Sequence, residues 1–308
     1  MRKTRRLKLF KLSIFSFFAL ILSAPQLFAA ACCGGGFALP SIITGDDKAQ
    51  ITTTYSYSNL DTRVQDNGVW RKQNDLDTTQ ILRLEGAHIF SDRYQAGFSV
   101  PILLKNQEGL AGGESSGLGD AQALIGYEYL PDWDYNPWRP KGIGFLTLVA
   151  PTGNSQYDSS SLYENRGRGF WSLGAGTILT KNWVQWDVLG TVEIHRRFSK
   201  SVNNENFQGE VTPGWGHSLA FGGGYNLANL RLGTSLSWNS EDPISDENQS
   251  IYTFAKERYA TLTLLTSYSF QENWAGTFSY ADQTLLGDPT NTTLSKAVSI
   301  SIQKRFAR

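Results

Sequence analysis

The chain has 308 residues, with equal numbers of acidic and basic residues (28 of each) and only two cysteines. Two cysteines are too few for a framework of disulfides. Six of the basic residues precede an apolar run from Leu12 to Leu22 and an Ala29-Ala30-Ala31 cleavage site, so residues 1–31 are predicted to be a secretory signal peptide. Without those six, 22 basic residues stand against 28 acidic ones, a formal charge of −6, and no basic patch is available for nucleic acid.

Residues 32–46 form a short Gly- and Cys-containing segment that we expect in the periplasm. Cleavage after Ala31 would leave Cys32 at the mature N-terminus, as in a lipoprotein, although Ala29 stands where such proteins usually have Leu. Cys32 and Cys33 have three further interpretations: metal ligation with another partner, a strained vicinal disulfide, or an inert flexible start. We expect no metal site and no cofactor.

The remaining residues, 47–308, alternate between apolar and polar side chains. In WVQWDVLGTVEIHRRF, residues 183 to 198, one face is apolar and the other carries charges of both signs, and this period of two predicts a strand. No stretch after the signal approaches the ~20 apolar residues of a membrane helix, so a membrane location requires a closed barrel. Twelve such segments lie near 47–59, 77–90, 94–105, 120–130, 142–150, 168–180, 183–197, 215–226, 229–240, 257–270, 273–284 and 293–306.

The connections between these segments alternate in length. Tight turns are predicted at 91–93, 181–182, 226–229 and 271–273, and longer polar loops at 60–76, 106–119, 151–167, 198–214, 241–256 and 285–292. A long Trp- and Pro-rich connection at 131–142 is the exception. Short turns on one side and long loops on the other are typical of bacterial outer-membrane barrels, whose turns are periplasmic.

The predicted fold class is therefore all-β: a transmembrane antiparallel up-and-down β-barrel of about 12 strands in the outer membrane of a Gram-negative bacterium. The final strand ends on Phe306 and resembles the C-terminal signal recognised by the barrel-assembly machinery, although Ala307-Arg308 follow. The expected partners are outer-membrane lipid, that machinery and a small-molecule solute, and we expect a monomer.

The charged residues of the polar faces are candidates for the lining of the lumen, where they would pair across strands and set solute preference. They are Arg83, Glu85, Lys105, Glu128, Asp187, Glu193, His195, Arg197, Arg231 and Arg305.

A catalytic interpretation is weaker. GHSLAFGGG, residues 216 to 224, resembles the G-x-S-x-G elbow around Ser218, but Ala220 replaces the last Gly and the strand continues with no helix. His195 has acidic residues on its own strand face, yet a nucleophile would have to come from a neighbouring strand. We therefore assign no catalytic residue and expect a protein that is not an enzyme.

Two short motifs carry a family resemblance. GLGD at 117 to 120 (Gly117, Leu118, Gly119, Asp120) opens the fourth segment, and APTG at 150 to 153 (with Pro151, Thr152, Gly153) closes the fifth. With the barrel pattern, they resemble the outer-membrane transporter family named after the meta-cleavage pathway of phenol degradation. The resemblance covers most of the mature chain and implies uptake of small solutes, including aromatic or other apolar compounds.

We therefore predict a barrel for passive transport of small solutes, with a lumen narrowed by inward loops or by the 32–46 segment. Two alternatives stay open: a non-conducting structural or surface-interaction barrel whose outer loops bind a partner, and an outer-membrane hydrolase.

Overall fold

The computed structural model describes residues 41–108, 112–134, 136–158, 162–203, 208–246 and 255–308. Twelve of its strands form a closed antiparallel barrel, because the first strand pairs with the last from Ala49 opposite Phe306 onward. The predicted fold class is thus confirmed. The barrel strands are β1 (Ala49–Val64), β3 (Asp77–Ser91), β4 (Tyr94–Gln107), β6 (Ala121–Leu130), β7 (Lys141–Ala150), β8 (Ser172–Asn182), β9 (Trp186–Arg197), β12 (Trp215–Leu227), β13 (Leu230–Glu241), β15 (Glu257–Gln271), β16 (Trp274–Asp282) and β17 (Thr292–Phe306).

Five shorter strands lie in the connections that the sequence predicts to be polar loops, so the prediction of plain loops there is wrong. They are β2 (Trp70–Lys72), β5 (Gly113–Leu118), β10 (Lys200–Asn203), β11 (Gln208–Thr212) and β14 (Ser245–Asp246). β2 pairs with β1 and β5 with β4, whereas β10, β11 and β14 form a separate small sheet. These strands lie beyond the membrane-spanning part of the barrel and have only two to six residues, with at most one large apolar side chain each, so period-two patterning does not reveal them.

The apolar faces of the barrel strands point outward. On β9, Trp186, Val192 and Ile194 are each more than half exposed, whereas Asp187 and Thr191 on the other face are buried. An apolar outer surface with polar residues inside is the arrangement of a transmembrane barrel. The described residues include no helix with the length and hydrophobicity needed to cross a bilayer.

The start of β1, the end of β17 and the short connections lie at one end of the barrel, which we call the turn end; the other is the loop end. Three turns fall close to their predicted positions, but the turn placed at Lys181-Asn182 lies at 183–185 instead, because β8 continues through Asn182. There the Trp183 backbone N–H donates to Trp186 O (2.7 Å). The long 131–140 connection packs on this turn, where the Trp183 indole N–H donates to Pro137 O (3.1 Å).

The apolar outer surface predicts that a charged substitution destabilises the barrel by an amount that depends on its position along the strand. Ile300, midway along β17, and Leu285, in the connection between β16 and β17, both have 58% of their surface exposed. Ile300→Arg should destabilise the barrel by about 2–4 kcal/mol, because it places a guanidinium in hydrocarbon, whereas Leu285→Arg should have little effect. Urea unfolding in lipid vesicles measures both. Equal effects would contradict the assignment of the membrane-facing surface.

Candidate functional site

All ten predicted lining residues lie on inward-facing positions of the barrel wall, with outward-facing apolar residues between them. The structure does not bring them into one cluster. Near the turn end lie Glu128, Asp187, Arg231 and Arg305; near the loop end lie Lys105, Glu193, His195 and Arg197; and Arg83 and Glu85 lie between these groups on β3.

The centre of the turn-end group is a buried ion pair between β9 and β13. Arg231 donates from Nε to Asp187 Oδ2 (2.8 Å) and from a terminal nitrogen to Oδ1 (2.5 Å), and Asn226 Nδ2 donates to Oδ2 (3.1 Å). A bidentate guanidinium–carboxylate pair fixes both side chains. Gly224 leaves room for it, because a Cβ there would overlap the Arg231 guanidinium.

Further ion pairs surround the turn end. Lys141 Nζ lies 3.0 Å from Glu128 Oε2, and Lys181 Nζ lies 2.9 Å from Asp132 Oδ2. The Arg305 guanidinium lies 4.0 Å from Asp47 Oδ2 and donates to the carbonyl of Glu272 (3.4 Å). Asp47, Glu128, Asp132, Lys141 and Arg305 border a cavity of about 530 Å³.

The segment that precedes β1 enters the lumen from the turn end. The Ile43 N–H donates to Gln95 Oε1 (2.8 Å) and Gln95 Nε2 donates back to Ile43 O (3.2 Å), while Gln50 Nε2 donates to Ile42 O (3.2 Å). Two glutamine amides of the wall thus pair with the backbone of the segment as a neighbouring strand would. Both isoleucines are buried.

An apolar patch on the lumen wall covers Ile42. The patch consists of Leu124, Ile143, Phe145 and Ile178, from β6, β7 and β8, with Leu189 of β9 beside it. The sequence interpretation assigned the inward faces to polar side chains and missed this patch. The available signal was β7, GIGFLTLV, which is apolar at inward Ile143 and Phe145 and also at outward Leu146 and Leu148.

The two family motifs contact each other at the loop end. Thr152 Oγ1 donates to Gly119 O (2.5 Å) and accepts the Ala121 N–H (2.9 Å). The Asp120 carboxylate accepts the backbone N–H groups of Gly153 (3.1 Å) and Arg168 (2.7 Å). We call these contacts the motif clamp.

The strand boundaries correct the placement of GLGD at the start of the fourth segment. Gly117 and Leu118 end β5 and β6 begins at Ala121, so the motif is a break between two strands that both pair with β4, and across this break the Gly119 N–H still donates to Pro101 O (2.9 Å). Pro151 follows the last residue of β7, where it costs no ladder hydrogen bond.

The clamp directs the 151–171 connection, described at 151–158 and 162–171, across the lumen. A Cβ at Gly167 would overlap Asp120 Oδ1, so glycine permits the close approach. Beyond it, Arg168 reaches Glu257 Oε2 (3.4 Å) on β15, five strands away from β7 in the barrel order. The loop therefore spans the mouth of the barrel.

A second ionic group lies directly beneath Arg168. Glu241 Oε1 accepts hydrogen bonds from Arg197 (2.5 Å), and it lies 3.0 Å from His195 Nε2. Thr147 donates to Glu193 Oε1 (2.9 Å) at the same level. Together they border a central cavity of about 190 Å³.

The small sheet β10–β11–β14 closes over the loop. Phe170 packs with Val202 and Val211, and the ring of Tyr157 meets Phe170 edge-on at 5.4 Å. Lys200 Nζ lies 2.8 Å from Asp158 Oδ1. Partial burial opposes ionisation of Asp158, but its bonds to Lys200 and Ser155 hold the pKa of that carboxyl below its ordinary value.

A larger cavity of about 600 Å³, the loop-end cavity, lies on the other side of the loop. Arg168, Phe170, Arg197 and Glu241 border both the loop-end cavity and the central cavity. These four side chains therefore lie between the mouth and the middle of the lumen.

The geometry gives the catalytic interpretation no support. Ser218 Oγ donates to Asn239 Oδ1 (2.7 Å), whereas the partner of His195 is Glu241, so the described contacts do not join Ser218 to a base. Within the described part of the chain, no three His, Cys, Asp or Glu side chains are placed to hold a metal. Cys32 and Cys33 lie outside the described residues.

Comparison with solved structures identifies the same fold in an outer-membrane channel from Pseudomonas putida F1, with a TM-score of 0.71 and 14% sequence identity over 86% of this chain and 97% of that one. The translocator domain of the autotransporter NalP from Neisseria meningitidis has a TM-score of 0.47 at 9% identity, covering 85% of this chain and 90% of that one. The transport unit of the autotransporter AIDA-I from Escherichia coli has 0.46 at 8% identity, covering 95% and 98%. No family model and no curated protein sequence matches the chain.

Loss of the Asp120 carboxylate should release the loop. Hydrogen bonds to charged groups each contribute roughly 1.5–3 kcal/mol, and Asp120→Ala removes two of them from the base of the loop. We expect trypsin to cut after Arg166 and Arg168 much faster than in the unmodified protein, as measured by mass spectrometry of timed digests. Asp66→Ala, in the exposed turn after β1, is the matched control. Unchanged cleavage in Asp120→Ala would contradict the role of the clamp.

Proposed function

We propose that the chain is an outer-membrane channel of a Gram-negative bacterium that gives small solutes passive passage. The observation that carries the proposal is the inversion of polarity in a closed barrel: the outer surface is apolar, and the inner surface bears ionic groups around cavities at both ends. A water-soluble sandwich would bury its apolar faces instead. The fold shared with the Pseudomonas putida F1 channel supports the proposal.

For the class of solute we propose aromatic or other apolar compounds. Support comes from the apolar patch inside the lumen, where Phe145 and Ile178 provide a surface that an apolar solute would contact once Ile42 leaves it. The resemblance of the GLGD and APTG motifs to the phenol-pathway transporter family points to the same class.

The non-conducting barrel is the second candidate, and the same contacts favour it. The segment around Ile42 and Ile43 and the loop that carries Arg168 both occupy the lumen. In our proposal they are movable obstructions; in the alternative they are permanent, and the outer sheet β10–β11–β14 would be the part that binds a partner. We assign no catalytic activity, and the hydrolase stays the weakest alternative.

We further propose that residues 1–31 are a signal peptide, that 32–46 are an N-terminal segment that starts in the periplasm, with Cys32 as the candidate lipidation site, and enters the lumen at Ile42 and Ile43, and that 47–308 form the barrel. The C-terminal strand, which is β17 ending at Phe306, is the part that the barrel-assembly machinery would recognise, and the functional unit would be a monomer in lipid.

Release of the N-terminal segment should enlarge the conducting path. Gln95→Ala removes both amide contacts that hold Ile43, so we expect more frequent and larger openings in planar bilayers than for the unmodified protein. Gln80→Ala is the matched control, because Gln80 bonds to Tyr55 on the outer surface. If neither the unmodified protein nor Gln95→Ala conducts while both fold, the channel proposal fails and the non-conducting barrel is favoured.

The lumen charges should set ion selectivity. Arg83 faces the lumen beside Glu85, and its replacement in Arg83→Gln leaves an excess of negative charge there, which should shift the reversal potential in a salt gradient toward cations. Arg71→Gln removes the same charge from the exposed strand β2 and should not shift it. Equal reversal potentials in all three proteins would mean that ions do not pass Arg83.

A further inference from the structure

Most charged side chains around the loop-end cavity are neutralised by a partner. Glu241 pairs with Arg197 (2.5 Å) and Glu257 with Arg168 (3.4 Å). The third carboxylate on the cavity wall, Asp242, lies 3.3 Å from Lys256 Nζ. The acidic side chains of this cavity are therefore compensated within the protein.

Two cations on the same cavity have no carboxylate at ion-pair distance among the described residues, and Asp77 acts on Lys105 only from farther away. Lys105 Nζ donates to the backbone carbonyl of Asn165, and the Arg166 guanidinium donates to Ser115 Oγ. Both acceptors are neutral, and within the described part of the chain no carboxylate oxygen lies within 4.0 Å of either cation.

The fold holds these two positive charges close together. Lys105 on β4 is directly opposite Ser115 on β5, and Ser115 is the partner of Arg166. Two like charges at partly buried positions repel each other, and an anion between them would relieve that repulsion. The motif clamp on Asp120 fixes the loop that delivers Arg166, so the pair is preorganised.

The rest of the cavity wall provides an apolar surface. Tyr157, Phe170 and Ile244 border the same cavity, and they belong to the cluster beneath the small outer sheet. The cavity volume of about 600 Å³ falls in the range of roughly 300–1,000 Å³ that small-molecule sites occupy. The site thus combines unpaired positive charge with aromatic side chains.

We propose that the loop-end cavity binds an organic carboxylate with an aromatic or apolar body. Its carboxylate contacts Lys105 and Arg166, because guanidinium and ammonium groups form their strongest hydrogen bonds with such oxygens. Its body packs against Phe170 and Tyr157. This inference rests on the proposed channel function and narrows it, since a neutral aromatic solute would leave the two cations without an anionic contact.

The experiment is titration calorimetry of the purified full chain in detergent with three probes: benzoate, benzamide and acetate. Benzamide keeps the ring of benzoate without its charge, and acetate keeps the charge without the ring. We expect benzoate to bind at least about tenfold more tightly than either, a difference of ~1.4 kcal/mol. Equal affinities of benzoate and benzamide, or no measurable binding of benzoate, would overturn the proposal.

Variants locate the binding. Lys105→Gln and Arg166→Gln should each weaken benzoate binding by about tenfold. Arg71→Gln, with the same change of charge on β2, should not affect it. Lys105 and Arg166 both also hold the loop, through Asn165 O and Ser115 Oγ, so Lys105→Arg, which keeps the charge and a donor, should retain the benzoate affinity that Lys105→Gln and Lys105→Met lose. Unaltered benzoate affinity in Lys105→Gln and Lys105→Met overturns the assignment. Binding is measured without a membrane, so a protein that binds benzoate but never conducts refutes the channel and keeps the site.

Discussion

The backbone N–H and C=O groups of a β-strand in hydrocarbon can bond only to a neighbouring strand. The pairing of β1 with β17 satisfies this constraint, because it closes the sheet and leaves the barrel without an edge. Closure also creates an interior that the membrane does not reach. Charged side chains that would be costly on the outer surface, such as Asp187 and Arg231, find partners there.

The interior is occupied by parts of the chain held in two different ways. At the turn end, Gln50 and Gln95 hold the segment before β1 through its backbone, and Ile42 fills an apolar patch. At the loop end, the Asp120 carboxylate holds the loop that carries Arg166 and Arg168. Neither attachment is covalent, and each consists of a few polar contacts. A bound solute or a local unfolding event can therefore displace either the segment before β1 or the loop.

The sequence predicts the barrel well because its strands obey a strict geometric rule. Alternation on β9 and β17 follows because one face contacts lipid and the other faces a polar lumen. The number of barrel strands and the direction in which their side chains point are therefore predicted, and the strand boundaries are predicted to within a few residues. The rule ends where the membrane ends. β5 and β10 are therefore predicted as loops, since each is short and carries one large apolar side chain, Leu118 and Val202.

The candidate site is harder to predict, since its contacts join residues far apart in the chain. The ten lining residues could be placed on the inward face, but the pairing of Arg197 with Glu241 depends on which strands are neighbours and at what register. The GLGD and APTG motifs were visible as separate signals. Their contact through Asp120 and Thr152 was not, because nothing in a single sequence reveals that two loops meet.

In the proposed channel the lumen is the conducting path, and two held segments obstruct it. Single-channel conductance tests this in a chain that combines Asp120→Ala with Gln95→Ala, compared in one bilayer with each single variant. We expect the combined variant to conduct more than either single variant, because the obstructions lie in series along one path. A folded combined variant that conducts no more than the unmodified chain would contradict it.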